Sequence, residues 1–191
     1  MKNTNENIAY VSAELAAAAI KSGDTIWVGN TTSGYSAFLK ALANRRNELH
    51  DVTILLNKGI APCEILDELS FRNSFRVISF FKEALIKTYE EDKRAFLKSA
   101  SNTIIDMICK QYGVNTMVAE LCPPDSEGFC NVGAQGVYIM PMINSYSGIT
   151  RRIAIIDEKL TKAAGKKAET EIPLSAFDYI CSERTAVSLS A

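Results

Sequence analysis

"NTMVAELCPPDSEGFCNVG", residues 115–133, is the stretch on which the reading of the fold turns. Its opening, "NTMVAELC", is a nearly continuous apolar run, the pattern of a strand covered on both faces rather than one. Pro123 and Pro124 then fix φ and remove two backbone donors, so the strand must end there. Asp125 can cap the turn that follows, and Gly128 can take a positive φ. By its chemistry alone this stretch is read best as a rigid corner that drops Phe129 into the core. The alternative is that it edges an active site, because open α/β sheets bind ligands beyond the carboxyl ends of their strands.

Working outward, apolar strands alternate with helical patterns. "NIAYVSAELAAAAI" (7–20) puts Ile8, Val11, Leu15 and Ala18 on one face of an amphipathic helix, with Asn5 or Asn7 as its cap. "TIWVGN" (25–30) is a short strand, and "GYSAFLKALANRRNEL" (34–49) a helix with Phe38, Leu39, Leu42 and Leu49 inward. "VTILLN" (52–57) and "FRVISFF" (75–81) read as strands, with "CEILDELS" (63–70) helical between them. Residues 82–94 are charged and mixed. "SNTIIDMICKQY" (101–112) is a helix, and "RRIAIIDE" (151–158) and "FDYICS" (177–182) are strands. Alternation of continuous apolar strands with helices predicts an α/β protein: a three-layer α/β/α sandwich around a mainly parallel sheet.

A chain of 191 residues is expected to form one domain. It is 47% hydrophobic and 23% charged, which fits a globular protein and argues against disorder. The net charge of −1 comes with Lys and Arg spread along the chain, so no nucleic-acid partner is expected. No apolar run reaches the roughly 18–20 residues that span a bilayer, and "MKNTNENIAY" lacks the apolar core of a signal peptide. The default expectation is therefore a cytoplasmic protein with no membrane partner. Five cysteines, at 63, 109, 122, 130 and 181, include no C-x-x-C pair, and His50 is the sole histidine. Buried, reduced thiols are expected rather than a metal site, and His50 beside Asp51 reads as a surface residue.

A second loop also leaves the carboxyl end of a strand: "GNTTSG", residues 29–34. Gly29 and Gly34 free the backbone, while Asn30, Thr31, Thr32 and Ser33 supply short polar groups ahead of a helix. Free N–H groups there suit a carboxylate or phosphate. Neither a P-loop lysine nor a G-x-G-x-x-G pattern is present.

"CPPDSEGFCNVG" resembles the S-P-P-D-x-H-G-[YF]-x-S-L-G loop of class I coenzyme A transferases, in the acetyl-CoA hydrolase/transferase branch that includes 4-hydroxybutyrate, butyryl and succinyl CoA-transferases. Pro123, Pro124, Asp125, Gly128, Phe129 and Gly133 match without a gap. Cys122, Glu127, Asn131 and Val132 stand for the first serine, the histidine, the second serine and the leucine. "AIKSGDTIWVGNTTSGYSAFLKALANRRNELHDVTIL" is similar to the opening of that family, "RRIAIIDEKLTKAAG" to its I-I-A-E-V-N-x-x-M-P-x-x-x-G segment, and "IPLSAFDYICSE" to its D-Y-I-V-E end. The departures are Tyr35 for a proline, Ile156-Asp157 for V-N, Thr161-Lys162 for M-P, and a more charged stretch at 82–98.

The resemblance implies a NagB/RpiA/CoA-transferase-like domain, equivalent to the N-terminal half of a transferase over residues 1–191. It implies a partner: a second half, fused or separate, whose glutamate forms a glutamyl–CoA thioester. No glutamate of this chain sits in a matching nucleophile motif, so no catalytic residue is assigned here. Substrate binding falls to Gly29, Asn30, Thr31, Thr32, Ser33, Gly34, Pro124, Asp125, Gly128, Phe129 and Gly133. Coenzyme A enters as substrate, with no further cofactor and no metal, and an oligomer is expected. The rival readings are half of an acyl-CoA thioester hydrolase, and a non-catalytic partner domain that binds a CoA ester or a sugar phosphate.

Overall fold

The computed structural model describes residues 10–29, 37–56, 65, 71, 73–80, 95–97, 105–134, 136 and 139–182. Strands β1 (Thr25–Gly29), β2 (Val52–Leu56), β3 (Phe75–Ser79), β4 (Ala95–Leu97), β5 (Thr116–Leu121), β7 (Arg151–Ile156) and β9 (Tyr179–Ser182) form one sheet. Its order is β4-β3-β2-β1-β5-β7-β9, and every neighbouring pair is parallel. Two short antiparallel strands, β6 (Phe129–Asn131) and β8 (Glu171–Pro173), make a separate ribbon.

The continuous apolar strands have the burial they predict. All six residues of β5 are buried, as are the last four of β1. Successive side chains alternate between two cores, one on each face of the sheet. Ile26, Val28, Ile54, Val118 and Ile153 join helices α1 (Ala13–Ala18) and α2 (Ala37–Asn44) on one face. Trp27, Leu55, Met117, Ala119 and Ala154 join α3 (Ile105–Tyr112) and α4 (Ile139–Ser145) on the other. The three-layer α/β/α sandwich with a parallel sheet is the fold expected from the alternation.

The first helix departs from its expected register. It begins at Ala13, capped by the Ser12 hydroxyl, which accepts from Leu15 N at 3.2 Å. Its buried face is Ala13, Ala16 and Ala17, while Leu15 is exposed. Tyr10 and Val11 do not continue it, and Val11 N donates to Ile180 O of β9 at 2.8 Å. A run of alanines lets the helix lie close against α2, and the Ser12 oxygen is in place to cap the first turn. Asn5, Asn7 and Ile8 lie outside the described residues. The end of α1 is closed by Arg45, whose Nη1 donates to Ala17 O at 2.6 Å and Ile20 O at 2.9 Å.

At the amino edge of the sheet, buried Asp24 ties three strands together. Its carboxylate accepts from Lys21 N at 2.8 Å, Asn115 Nδ2 at 2.9 Å and Arg151 Nη1 at 2.7 Å. Arg151 Nη1 also donates to Thr116 Oγ1 at 2.8 Å. This holds β1, β5 and β7 together at one end.

Candidate functional site

Strand order runs outward from β1 through β2 and β3 to β4, then resumes on the other side of β1 with β5, β7 and β9. The order therefore reverses between β1 and β5, and such a switch point opens a crevice at the carboxyl ends of the two strands. Both loops singled out in the sequence leave from these two strands. Gly29, the last residue of β1, pairs with Ala119, and β5 continues through Glu120 and Leu121 before its loop begins. Asn30, Thr31, Thr32, Ser33 and Gly34 lie outside the described residues.

The second loop is closed on itself. Asp125 N donates to Phe129 O at 2.8 Å, and Gly128 N to Asp125 O at 3.0 Å. Asp125 Oδ1 accepts from Glu127 N and Phe129 N, both at 2.9 Å. Cys122 N donates to Asn131 O at 2.9 Å, so β6 folds back on the end of β5. Gly128 has φ +80 and Gly133 φ +71, as the turn requires. The aspartate cap and the positive-φ glycine are both where the sequence put them.

Phe129 is not. It is only half-buried, with Lys167 Nζ 4.2 Å from its ring centroid. Pairing of β6 with β8 turns the ring outward, and the neighbouring Cys130 takes the inward position. Lys167, on α5 (Lys167–Thr170), also meets Glu127 at 2.6 Å, Glu171 at 3.6 Å and Asp125 at 3.9 Å. The hydrogen bond to Glu127 raises the Lys167 ammonium pKa above its ordinary value. Backbone hydrogen bonds, that of Phe129 foremost, hold Asp125 below the ordinary carboxylate value. Glu127 is thus engaged in an exposed ion pair.

A third segment closes this edge. Asp157 N donates to Leu121 O at 2.9 Å, and Ala134 N to Thr161 O at 2.9 Å. Asn131 Oδ1 accepts from Gly133 N at 3.0 Å and Ala163 N at 2.7 Å, and Asn131 Nδ2 donates to Ala163 O at 3.2 Å. A Cβ on Gly133 would fall 2.7 Å from Leu160 Cδ2. Pro124 is half-buried, and Pro123 and Asp125 are exposed at the tip. Cys122 donates to Leu160 O at 3.3 Å; burial raises its thiol pKa, and burial pushes Cys130 up to about 12, so both are protonated thiols.

Three buried polar groups at this edge were not picked out from the sequence. Asn131 is one; its N-x-G spacing was a readable turn signal. Glu120, 1% exposed near the end of β5, shares a face with Val118 and pairs in register with Ile155. A carboxylate inside an apolar strand was visible in "MVAEL". Trp27 in β1 is the third, and nothing in its strand pattern marks the indole N–H. His50 contacts Asp51 at 3.1 Å on the exposed surface, and Cys109, Cys122, Cys130 and Cys181 are buried and form no disulfide among the described residues. Among the described residues no helix is long and apolar enough to cross a membrane.

A parallel sheet sandwiched by helices, with its switch point between the first and fifth strands, is a three-layer α/β/α architecture. Among solved structures the chain is similar to RipA from Yersinia pestis, with a TM-score of 0.76 and 20% identity over 95% of this chain and 44% of that one. It is similar to an acyl-CoA transferase, YdiF, from Escherichia coli O157:H7 at TM-score 0.63 and 10% identity, covering 95% of this chain and 48% of that one. A 4-hydroxybutyrate CoA-transferase, abfT-2, from Porphyromonas gingivalis gives 0.56 and 15%, covering 91% and 38%. At these identities the likeness is one of fold, and the chain spans less than half the length of each of these three proteins. No family model matches the sequence, and no curated protein does.

Proposed function

We propose that this chain is the N-terminal half of a coenzyme A transferase, moving CoA between an acyl-CoA and a small carboxylate. The observation that carries the reading is the position of the 122–133 loop. The gapless family-like stretch leaves the strand that flanks the switch point, in a fold shared with two proteins described as CoA-transferases. In this reading the two loops wall the acyl end of the substrate. Backbone and short polar groups of residues 29–34 face the thioester oxygen, an oxyanion-type role. The tightly bonded 122–133 loop presents a preformed wall that loses little entropy on binding. The nucleophilic glutamate comes from a second half, a separate subunit or a further domain, and the two together form an oligomer.

The test is to pair the chain with candidate second halves carrying a glutamate loop and to follow CoA transfer from acetyl-CoA to butyrate. Transfer by the pair, lost when that glutamate becomes glutamine, supports the reading. Hydrolysis without transfer in the same assay identifies a thioester hydrolase half instead, and CoA-ester binding with neither reaction identifies a non-catalytic partner domain.

A further inference from the structure

We infer that the indole N–H of Trp27 is a ligand donor, binding one oxygen of a short carboxylate or acyl group at the switch-point end of β1. Trp27 is completely buried, yet its Nε1 has no hydrogen-bond acceptor among the described residues. Buried donors are satisfied in nearly all native structures, so an orphan on the central residue of β1, with its N–H beside Gly29 at the end of the strand, asks for a partner. Phenylalanine would keep the apolar contacts of this ring without stranding a donor.

The ring is held firmly. It stacks on Phe80 with centroids 6.2 Å apart, and Phe80 meets Tyr112 edge-on at 6.1 Å. Its orientation is defined by Gly29, two residues on along the same face. A Cβ built on Gly29 would lie 3.2 Å from Trp27 Nε1 and 3.6 Å from Cδ1. The donor edge of the ring therefore points along β1 toward its carboxyl end. No side chain at Gly29 stands between that edge and the strand end. The same Cβ would lie 2.8 Å from Ile139 Cγ2, so an apolar side chain borders the N–H on this side. One fixed donor in an apolar wall suits a short hydrocarbon chain carrying a single oxygen acceptor.

This inference takes its ligand class from the proposed transferase reading, and its test stands apart from turnover. Trp27 is the sole tryptophan of the chain, so a proton–nitrogen NMR spectrum contains one tryptophan indole resonance. Titration of the 191-residue chain with sodium butyrate is expected to move that proton downfield saturably and to slow its exchange. Trp27→Phe is expected to weaken butyrate binding about 10-fold in calorimetry, the loss of a hydrogen bond to a charged acceptor. Gly29→Ala, which crowds the donor with a methyl group, is expected to abolish the indole response. An indole proton that stays put while backbone amides move overturns the inference. So does a spectrum that does not respond at all, or an indole already far downfield and unmoved, which marks a buried water as its acceptor. CoA transfer by paired halves with a silent indole sinks this inference and leaves the transferase reading standing. A saturable indole response without transfer by any pair does the reverse.

Discussion

Gly128 and Gly133 both hold left-handed backbone, but they differ in what surrounds them. Nothing lies within 4 Å of a Cβ built on Gly128, so Gly128→Ala meets only the cost of its φ of +80, about 1 kcal/mol. Gly133→Ala meets that and a contact of 2.7 Å with Leu160. It is expected to cost about 2–3 kcal/mol, read by urea denaturation of both variants side by side. Asp125 makes a different prediction. Its carboxyl is held below the ordinary value of 3.8, so its contribution to stability is complete above that value and is lost as pH falls through the folded pKa. Asp125→Asn keeps an acceptor oxygen for Glu127 N and Phe129 N but no longer titrates. Its melting temperature should therefore fall less steeply than the native protein's between neutral and acid pH. Lys167 acts in the opposite window: its pKa is raised, so its contribution is present below the ordinary lysine value and lost as pH rises through the folded one. The local roles of Asp125 and Gly128 were legible because each depends on a few adjacent residues. The exposure of Phe129 was not, because it follows from pairing with Pro173 of β8, 44 residues later, in a segment that carries no strand pattern.

At the scale of elements, legibility followed length and apolarity. The strands of the main sheet that read as apolar runs, β1, β2, β3, β5, β7 and β9, appear in place, since burial on both faces leaves a signal no loop imitates. The three-residue strands β4, β6 and β8 were invisible, being too short for any period to show. The first helix was seen but turned the wrong way: leucine was taken to face inward, whereas alanine packing lets two helices approach and leaves Leu15 outside. The helix read at 63–70 falls almost wholly outside the described residues, where only Ile65 is seen, helical and buried. The amino-edge latch offers a test of how the elements are joined. Asp24→Ala removes the acceptor of three donors from separate parts of the chain and strands a nearly buried guanidinium on Thr116 alone. Breaking such a pair from one side is expected to cost about 3 kcal/mol. Arg151→Met with Asp24→Leu, which removes both charges, should cost clearly less. Equal losses in chemical denaturation would show that the latch contributes through packing rather than charge.

For the whole molecule, strand alternation predicted layers but not the order of the strands, because order is a matter of which crossovers turn which way. The order matters most for function: it sets β1 beside β5, so two loops about 90 residues apart leave the sheet from adjacent strands. Cys122 and Cys130 are protonated, Glu127 is committed to Lys167, and His50 sits at the surface away from the switch point. In the proposed reading the covalent step depends on a glutamate of the second half. The 191-residue chain alone is expected to transfer no CoA from acetyl-CoA to butyrate above background. The shortfall against a complete enzyme should be on the order of 10⁴–10⁶ in rate, the usual consequence of losing a covalent nucleophile. Mass spectrometry of the chain incubated with acetyl-CoA should show no CoA-sized adduct, while the paired second half should show one on its own glutamate. Turnover by the isolated chain, together with a CoA thioester trapped on Glu120 or any other of its glutamates, would make this chain an enzyme in its own right and would end the half-enzyme reading.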